Sequence, residues 1–265
     1  MNVIVCVKQV PATTDVKMNY ETNTIIREGI ESIINPFDTY AVEEALRIKE
    51  QTSGKVTVIS MGIPSVAEML KQTIAMGVDE CILLSDRAFA GADTLATSYT
   101  LSMGIKKIAD YDLIICGKQA TDGDTAQVGP SLAESLGIPH TTFVRKITEI
   151  DNGVVKCQRM TDDGYDDIEL PLPALITVVK EINEPRLPSL KGMMRAKKTE
   201  ITVWKAGDID ADIQRCGLIG SPTRVVKTFV PVHDVKSEMF EGTPEEQAKQ
   251  LADRLLSMHF MKVGR

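Results

Sequence analysis

Short apolar runs alternate with helical stripes along the first half of the chain, and this alternation constrains the fold more than any other feature. The runs have the length and composition of buried strands, and the stripes have helical periodicity, with Asp38 as a candidate N-cap of the first helix. We predict strands at 2–7, 56–61, 80–84 and 112–116, and helices near 38–48, 64–76 and 93–109. This alternation predicts an α/β fold with a doubly wound parallel sheet and right-handed crossovers.

The rhythm changes after Gly137. Polar and apolar residues alternate there, with turn signals at Asn152–Gly153 and Asp163–Gly164, which predicts an antiparallel extension of the sheet. Its strands are predicted at 142–151, 154–161 and 166–170, and a further strand is predicted at 174–179. A hairpin inserted after the first strand is predicted at 16–27, with Asn23 near its turn.

The rest of the chain carries few strand signals and several prolines, which predicts an extended C-terminal arm. We therefore divide the chain into a nucleotide-binding α/β domain at 1–180 and a C-terminal arm at 181–265. The arm contains a well specified terminal helix, in which Thr243 is the N-cap, Pro244 takes the first position and Glu246 completes a capping box. Its apolar stripe fits either this chain's own core or a partner.

Charge and hydropathy exclude some classes of partner. The chain has 265 residues and a net charge of −7, and no apolar run approaches the about 20 residues of a transmembrane helix. The N-terminus begins a strand instead of a signal peptide, so we expect a cytoplasmic protein without a membrane span. The negative charge argues against nucleic acid as a partner, although Lys191, Arg195, Lys197 and Lys198 form a local basic cluster.

The cysteines and histidines form no catalytic or metal-ligating pattern. The five cysteines lack CxxC spacing, so disulfides, zinc and iron–sulfur clusters are disfavoured and buried free thiols are expected. The three histidines have no partner pattern for a catalytic triad. We predict no metal site and no nucleophilic hydrolysis.

The stretch at 113–130, LIICGKQATDGDTAQVGP, is a candidate phosphate site. It is typical of a buried strand, a loop and the start of a helix, and ligands of open α/β sheets bind at the carboxyl end of such strands. Small residues, hydroxyls and free backbone N–H groups gather at the predicted helix start, which suits a phosphate. The same residues fit a strand, turn and capped helix of any α/β protein that binds no phosphate there. They match neither the Walker nor the Rossmann glycine pattern. Loops at 8–11, 61–64 and 85–93 follow the other strands and together favour a nucleotide crevice.

Five segments in order resemble the beta subunits of electron transfer flavoproteins, over essentially the whole chain. They are VCVKQVP at Val5–Pro11, INPFD at Ile34–Asp38, CGKQATDGDTAQVGP at Cys116–Pro130, ELPLPALITV at Glu169–Val178 and PSLKGMMRAKK at Pro188–Lys198. The sheet of that family, which is adenine nucleotide alpha-hydrolase-like, agrees with the α/β fold predicted from the alternation.

The resemblance implies one subunit of a heterodimer whose alpha subunit carries FAD, while the beta subunit holds either a structural AMP or a second FAD. The text at 6–11, 85–96, 122–130 and 220–227 looks like that of the electron-bifurcating members. This implies that the beta FAD takes a hydride from NADH. One electron then passes to ferredoxin or flavodoxin, and the other passes through the alpha FAD to a flavin-dependent dehydrogenase acting on an acyl-CoA or hydroxy acid. The flavin carries the chemistry, so no catalytic side chain is assigned.

On this interpretation the cofactor-binding residues gather at the strand ends. The pyrophosphate is expected against the helix start at 125–129, and Asp122 and Asp124 cap that helix or bind ribose hydroxyls. Arg87 is a candidate for flavin or NADH contact, or an exposed loop charge. The predicted cofactor-binding set is Cys6, Val7, Asn35, Asp38, Gly62, Arg87, Asp93, Thr94, Gly117, Asp122, Gly123, Asp124, Thr125, Ala126, Gln127, Val128 and Gly129.

The basic cluster falls in a second predicted site. In the family the text at about 186–198 forms a mobile recognition loop that docks on the partner dehydrogenase. Leu190 matches its anchoring leucine, followed by Met193, Met194 and Lys197, and the lysines steer the encounter. Lys191–Gly192 stands where the family usually has Pro-Asn, so the resemblance does not define the particular partner. A solvated basic turn is the alternative interpretation.

Two other functions remain open from the sequence. One is a conventional electron transfer flavoprotein beta subunit with a structural AMP. The other is a non-redox module that binds ATP or AMP on the same sheet. The nucleotide bound by the protein distinguishes all three.

Overall fold

The computed structural model describes residues 1–12, 18–19, 24–25, 31–226 and 237–258. The strands are β1 Asn2–Cys6, β2 Gln9–Pro11, β3 Met18–Asn19, β4 Thr24–Ile25, β5 Ser32–Ile34, β6 Lys55–Met61, β7 Glu80–Leu84, β8 Leu113–Gly117, β9 His140–Asp151, β10 Val154–Met160, β11 Tyr165–Pro171, β12 Ala174–Val178 and β13 Thr202–Trp204. The helices are α1 Pro36–Thr52, α2 Val66–Met76, α3 Thr94–Ile108, α4 Val128–Leu136, α5 Leu190–Lys198 and α6 Pro244–Ser257. Among these described helices, none is long and apolar enough to cross a membrane.

The main sheet of the described chain has nine strands in the order β11-β10-β9-β12-β8-β1-β6-β7-β13. Neighbouring strands from β9 to β13 run parallel, and β10 and β11 extend the sheet in antiparallel pairing. The predicted α/β fold with an antiparallel extension is therefore confirmed. Strand β13, which pairs with β7, was not predicted, because a strand of three residues is too short to show a period of two in the sequence.

Helices cover both faces of this sheet. Alternate β1 residues point to opposite sides, so Val3 and Val5 pack in one core with α1 and α2, while Ile4 packs in the other with α3. Strands buried on both sides read as continuous apolar runs, which explains why the sequence located them so well. All five cysteines are buried free thiols, as expected.

Two local predictions about chain turns have different outcomes. Asp38 is not an N-cap: α1 begins at Pro36 after Asn35, and Asp38 lies inside its first turn. The reason is that Pro36 with its fixed φ favours the first helical position. β3 and β4 pair antiparallel within the predicted hairpin, while Asn23 lies outside the described residues.

The described residues 237–258 belong to a second unit of the chain. Within its described part, the predicted capping box of α6 is confirmed, since Thr243 N donates to Glu246 Oε2 at 2.8 Å and Glu246 N donates to Thr243 Oγ1. Arg254 pairs with Glu238. Leu251 on the apolar stripe is 46% exposed within this unit. The predicted domain division at 180 stays a prediction.

Candidate functional site

The carboxyl ends of β1 and β8 form the topological switch point of the sheet. From β1 the chain proceeds outward to β6 and β7 on one side, and β8 and β12 lie on the other. Cys6 and Cys116 are register partners on the two strands, and Val7 and Gly117 follow at the rim. Open α/β sheets bind ligands in the crevice at this position. A hydrogen bond from Cys6, burial and nearby charges raise the pKa of the Cys116 thiol, so it is held neutral beneath the rim.

A buried carboxyl group closes the floor of this crevice. Asp38, from the first turn of α1, accepts a hydrogen bond of 2.8 Å from Lys8 N just beyond β1. A Cβ on Gly117 would lie 2.7 Å from the Phe37 carbonyl carbon and would overlap Asp38, so only glycine fits there. Burial raises the pKa of Asp38 from its ordinary 3.8 to about 7, against the opposing hydrogen bonds from Asn35, Lys8 and Gly117.

Asn35 attaches the long loop after β8 to the start of α1. Its side chain is buried, Nδ2 donates to Gln119 O at 2.8 Å, and Oδ1 accepts from Thr121 N at 3.1 Å. Lys8 Nζ adds an ion pair of 2.6 Å with Asp122. The structure thus brings Asn35, Asp38, Gly117 and Asp122 together, as the sequence analysis anticipated for the rim.

The segment leading into α4 has an unusual backbone. Asp124 and Ala126 adopt φ values of +52° and +53°, a conformation in which non-glycine residues are strained. The N-cap residue Gln127 makes no side-chain cap. The described residues provide no acceptor for the backbone N–H groups of 125–129. These donors at an uncapped helix start suit an anion such as a phosphate.

Two neighbours of that segment differ from the sequence prediction. Asp122 and Asp124 do not cap α4, because Asp122 pairs with Lys8 and Asp124 accepts from the Gln119 side chain. Gly129 brings α4 close to β12, since a Cβ there would lie 2.5 Å from Thr177 Cγ2. The helix start is therefore held near the sheet by contacts that leave its N–H groups free.

The start of α3 lies at the same edge but is already capped. Asp93 Oδ1 accepts from Leu95 N and Ala96 N at 3.0 and 3.1 Å, and Oδ2 accepts from Thr223 Oγ1 at 2.8 Å. Burial alone would raise the pKa of Asp93, but these hydrogen bonds hold it below its ordinary value. Ser221 Oγ accepts from Asp93 N. Asp93 thus ties the segment at 221–223 to the rim.

Other predicted residues line the same edge. Thr94 opens α3, and Gly62 after β6 accommodates Val66, whose Cγ2 would lie 2.7 Å from a Cβ at position 62. Arg87 is exposed in the loop after β7. Sequence reasoning did not assign Ser221 and Thr223 to the site, although their text, GSPTR, was among the family-like segments. Only the fold shows that they contact Asp93.

The predicted docking residues lie on α5, away from the crevice. The prediction of a loop at 186–198 is wrong for residues 190–198, which form a helix. Ser189 caps this helix by accepting a hydrogen bond of 3.0 Å from Gly192 N. Leu187, Leu190 and Met194 are exposed by 88%, 72% and 58%. Met193 and Lys197 are exposed too. Large apolar side chains exposed together are typical of interaction surfaces.

A doubly wound sheet with unpaired backbone donors at its switch point is an architecture typical of nucleotide-binding α/β proteins. The family described as electron transfer flavoprotein domain matches residues 22–209. This chain belongs to the electron transfer flavoprotein family, and its relatives identify it as a beta subunit. Beta subunits of this family pair with an alpha subunit, and the protein that they form carries a flavin.

The relatives match over nearly their whole length. The electron transfer flavoprotein subunit beta of Thermoanaerobacterium thermosaccharolyticum is 51% identical, over 98% of this chain and 99% of the relative. The subunit of the same name from Clostridium acetobutylicum is 46% identical, over 98% and 100%. The caffeyl-CoA reductase-Etf complex subunit CarD of Acetobacterium woodii is 47% identical, over 98% and 100%.

Proposed function

We propose that this chain is the beta subunit of an electron-bifurcating flavoprotein. It binds FAD at the carboxyl edge of the sheet and uses NADH as hydride donor. FAD supplies the redox chemistry: of each electron pair, one electron goes to a low-potential carrier such as ferredoxin or flavodoxin, and the other goes through the alpha-subunit FAD to a flavin-dependent dehydrogenase. The observation that carries the proposal is the uncapped start of α4 beside a second, capped wall at α3.

The extent of the rim supports a dinucleotide. Four neighbouring strands, β8, β1, β6 and β7, end there, and at about 4.8 Å per strand the rim extends over about 14 Å. AMP requires only the switch point between β1 and β8. The wall formed by Asp93, Ser221 and Thr223 lies beyond β6, where the flavin half of FAD would extend and AMP would not.

The protein's residues bind and orient the cofactor. The N–H groups of 125–129 and the Thr125 hydroxyl donate to the pyrophosphate, a charge-assisted interaction favoured at a helix start. Asn35 and the Lys8–Asp122 ion pair fix the loop that carries these donors. Arg87 is exposed near the α3 wall and supplies a positive charge for the flavin or for NADH.

We further propose that the arm from 181 onward serves partner recognition, with Leu190, Met193, Met194 and Lys197 of α5 docking on the dehydrogenase. Exposed leucine and methionine bury apolar surface in a partner, and basic residues steer the encounter. A relative that is a subunit of a caffeyl-CoA reductase complex agrees with a dehydrogenase of the acyl-CoA class.

The nucleotide extracted from the purified alpha–beta heterodimer tests the cofactor assignment. We expect two FAD per heterodimer. One FAD and one AMP would instead identify the conventional electron carrier, and ATP without flavin would identify a non-redox module. In the double variant Thr125→Val with Gln127→Ala, we expect lower FAD occupancy of the beta site and unchanged alpha FAD. Full occupancy in that variant would refute the placement of the pyrophosphate.

A further inference from the structure

Helix α5 lies unusually close to the C-terminal end of α2. At Gly192, a Cβ would lie 2.9 Å from the Ala75 carbonyl carbon and would overlap its oxygen. Any side chain at this position therefore requires α5 to move away from α2. Glycine is a poor helix former, so a close packing contact gives a reason for its presence in the first turn of α5. Ala75 provides that contact.

Arg195 attaches the same helix to the same end of α2. Its Nη2 donates to Ile74 O at 2.8 Å and also to Val78 O. The last carbonyl groups of a helix have no partner within the helix, and a cation is favoured there. Arg195 thus differs from Lys191, Lys197 and Lys198 of the basic cluster, because their side chains make no hydrogen bond to the described residues whereas the Arg195 side chain makes two.

The chain before α5 is fixed to α1. Arg186 Nε and Nη2 donate to Glu43 at 2.8 and 3.0 Å, and Arg186 also pairs with Glu50. The Glu43 side chain is only 5% exposed, so this pair is largely desolvated on the carboxylate side. Asn183 Nδ2 adds hydrogen bonds to Tyr40 O and Glu44. Both ends of the docking segment are therefore anchored to the α/β body.

We propose that Gly192 and Arg195 are positioning residues that set the orientation of the exposed face of α5 that carries Leu190 and Met194. They act on the face turned toward α2 and so do not contact the partner. A rigid docking face loses less conformational freedom on binding, which strengthens association. This inference rests on the proposed docking role of α5. It assigns a structural reason to the Gly192 that departs from the usual family text.

The test uses the intact heterodimer with its partner dehydrogenase. In Gly192→Ala we expect the KM for the dehydrogenase to rise about tenfold, the equivalent of about 1.4 kcal/mol. The kcat, the flavin content and the rate of reduction by NADH stay as in the parent protein. Gly207→Ala is the matched control, because a Cβ there meets no atom within 4 Å. An unchanged KM in Gly192→Ala overturns the proposal.

Two further variants separate this inference from docking itself. Arg195→Gln should raise the KM as Gly192→Ala does, and it decides the question if Gly192→Ala folds poorly. Arg195→Lys should recover only part of the affinity, since one ammonium cannot reproduce the guanidinium fork. Leu190→Ala removes an exposed contact without altering the α2 interface. A raised KM in Leu190→Ala with parental values in Gly192→Ala and Arg195→Gln supports docking and overturns the positioning role. A parental KM in Leu190→Ala, Gly192→Ala and Arg195→Gln alike would overturn both the docking role of α5 and the positioning role of Gly192 and Arg195.

Discussion

The starts of α3 and α4 lie at the same edge of the sheet and are linked by Ser98 Oγ, which bonds both Thr94 O and Val128 O. They are built in opposite ways. Asp93 saturates the start of α3 and ties down a distant segment, whereas the start of α4 has no side-chain cap and follows strained residues. The difference supports the proposal in which the start of α3 forms a wall of the crevice and the start of α4 binds the pyrophosphate.

The carboxyl groups beside the two helix starts, Asp93 and Asp38, have pKa values shifted in opposite directions. Hydrogen bonds outweigh burial at Asp93 and lower its pKa. Burial outweighs hydrogen bonds at Asp38, near the loop before α4, and raises its pKa to about 7. A buried carboxyl group that protonates near neutral pH adds less negative charge close to an anion site. The two groups consequently predict opposite dependences of stability on pH.

The largest expected effect concerns Asp38. Its folded pKa of about 7 exceeds the ordinary 3.8, so the folded state retains a proton that the unfolded state releases. The stability from this group is complete below about pH 4 and is lost as the pH rises to about 7, by about 4 kcal/mol at roughly 1.4 kcal/mol per pKa unit. We expect Asp38→Asn to lack this loss. Urea unfolding of both proteins between pH 4 and pH 8 measures it, and parallel profiles would contradict the buried charge.

Gly129→Ala should open the contact between α4 and β12. The added Cβ meets Thr177 Cγ2 at 2.5 Å, so we expect a loss of about 1–3 kcal/mol in unfolding free energy and a several-fold loss of beta-site FAD. Thermal unfolding and flavin analysis of the heterodimer measure both. Gly164→Ala is the control, since Gly164 lies outside the site and a Cβ there meets nothing within 4 Å. Parental flavin content in Gly129→Ala would show that the position of α4 is not critical.

Asp93→Ala should affect stability more than phosphate binding. Removing an N-cap costs about 0.5–2 kcal/mol, and the segment at 221–223 loses its attachment. Because the Asp93 pKa is lowered, its stabilisation is present above about pH 4 and is lost on further acidification, which is the reverse of Asp38. Denaturation at pH 7 and pH 3 measures the difference between variant and parent. A larger flavin loss than in Gly129→Ala would reverse the assignment of the two helices.

The smallest effect is expected for Lys8→Gln. The ion pair with Asp122 is half-exposed, and such pairs contribute roughly 0.2–1 kcal/mol and are screened by salt. We expect a small loss of stability at low salt that disappears near 1 M salt. Lys55→Gln, which removes an exposed pair with Glu80 at the opposite end of the sheet, is the control. A loss that persists at high salt would indicate that Lys8 holds the loop by more than charge.

The sequence predicted the fold well where its signals are local and repeated. The run at 80–84 coincides with β7, and the predicted capping box at Thr243 is where expected. It failed where neighbours distant in the chain decide the outcome. Strand β13 forms because β7 offers a free edge, and 190–198 is helical where a loop was predicted.

By itself the sequence determined the strand–helix order, the apolar cores and the text that identifies a flavoprotein beta subunit, because these follow from periodicity and residue type. Only the tertiary structure decided which helix start is open, which carboxyl group is buried, and what Gly192 contacts. Those properties depend on partners such as Thr223, Lys8 and Ala75, which lie 130, 30 and 117 residues away from Asp93, Asp38 and Gly192. Hydrogen bonding and desolvation depend on which residues are close in space, and local sequence patterns do not show contacts between residues far apart in the chain.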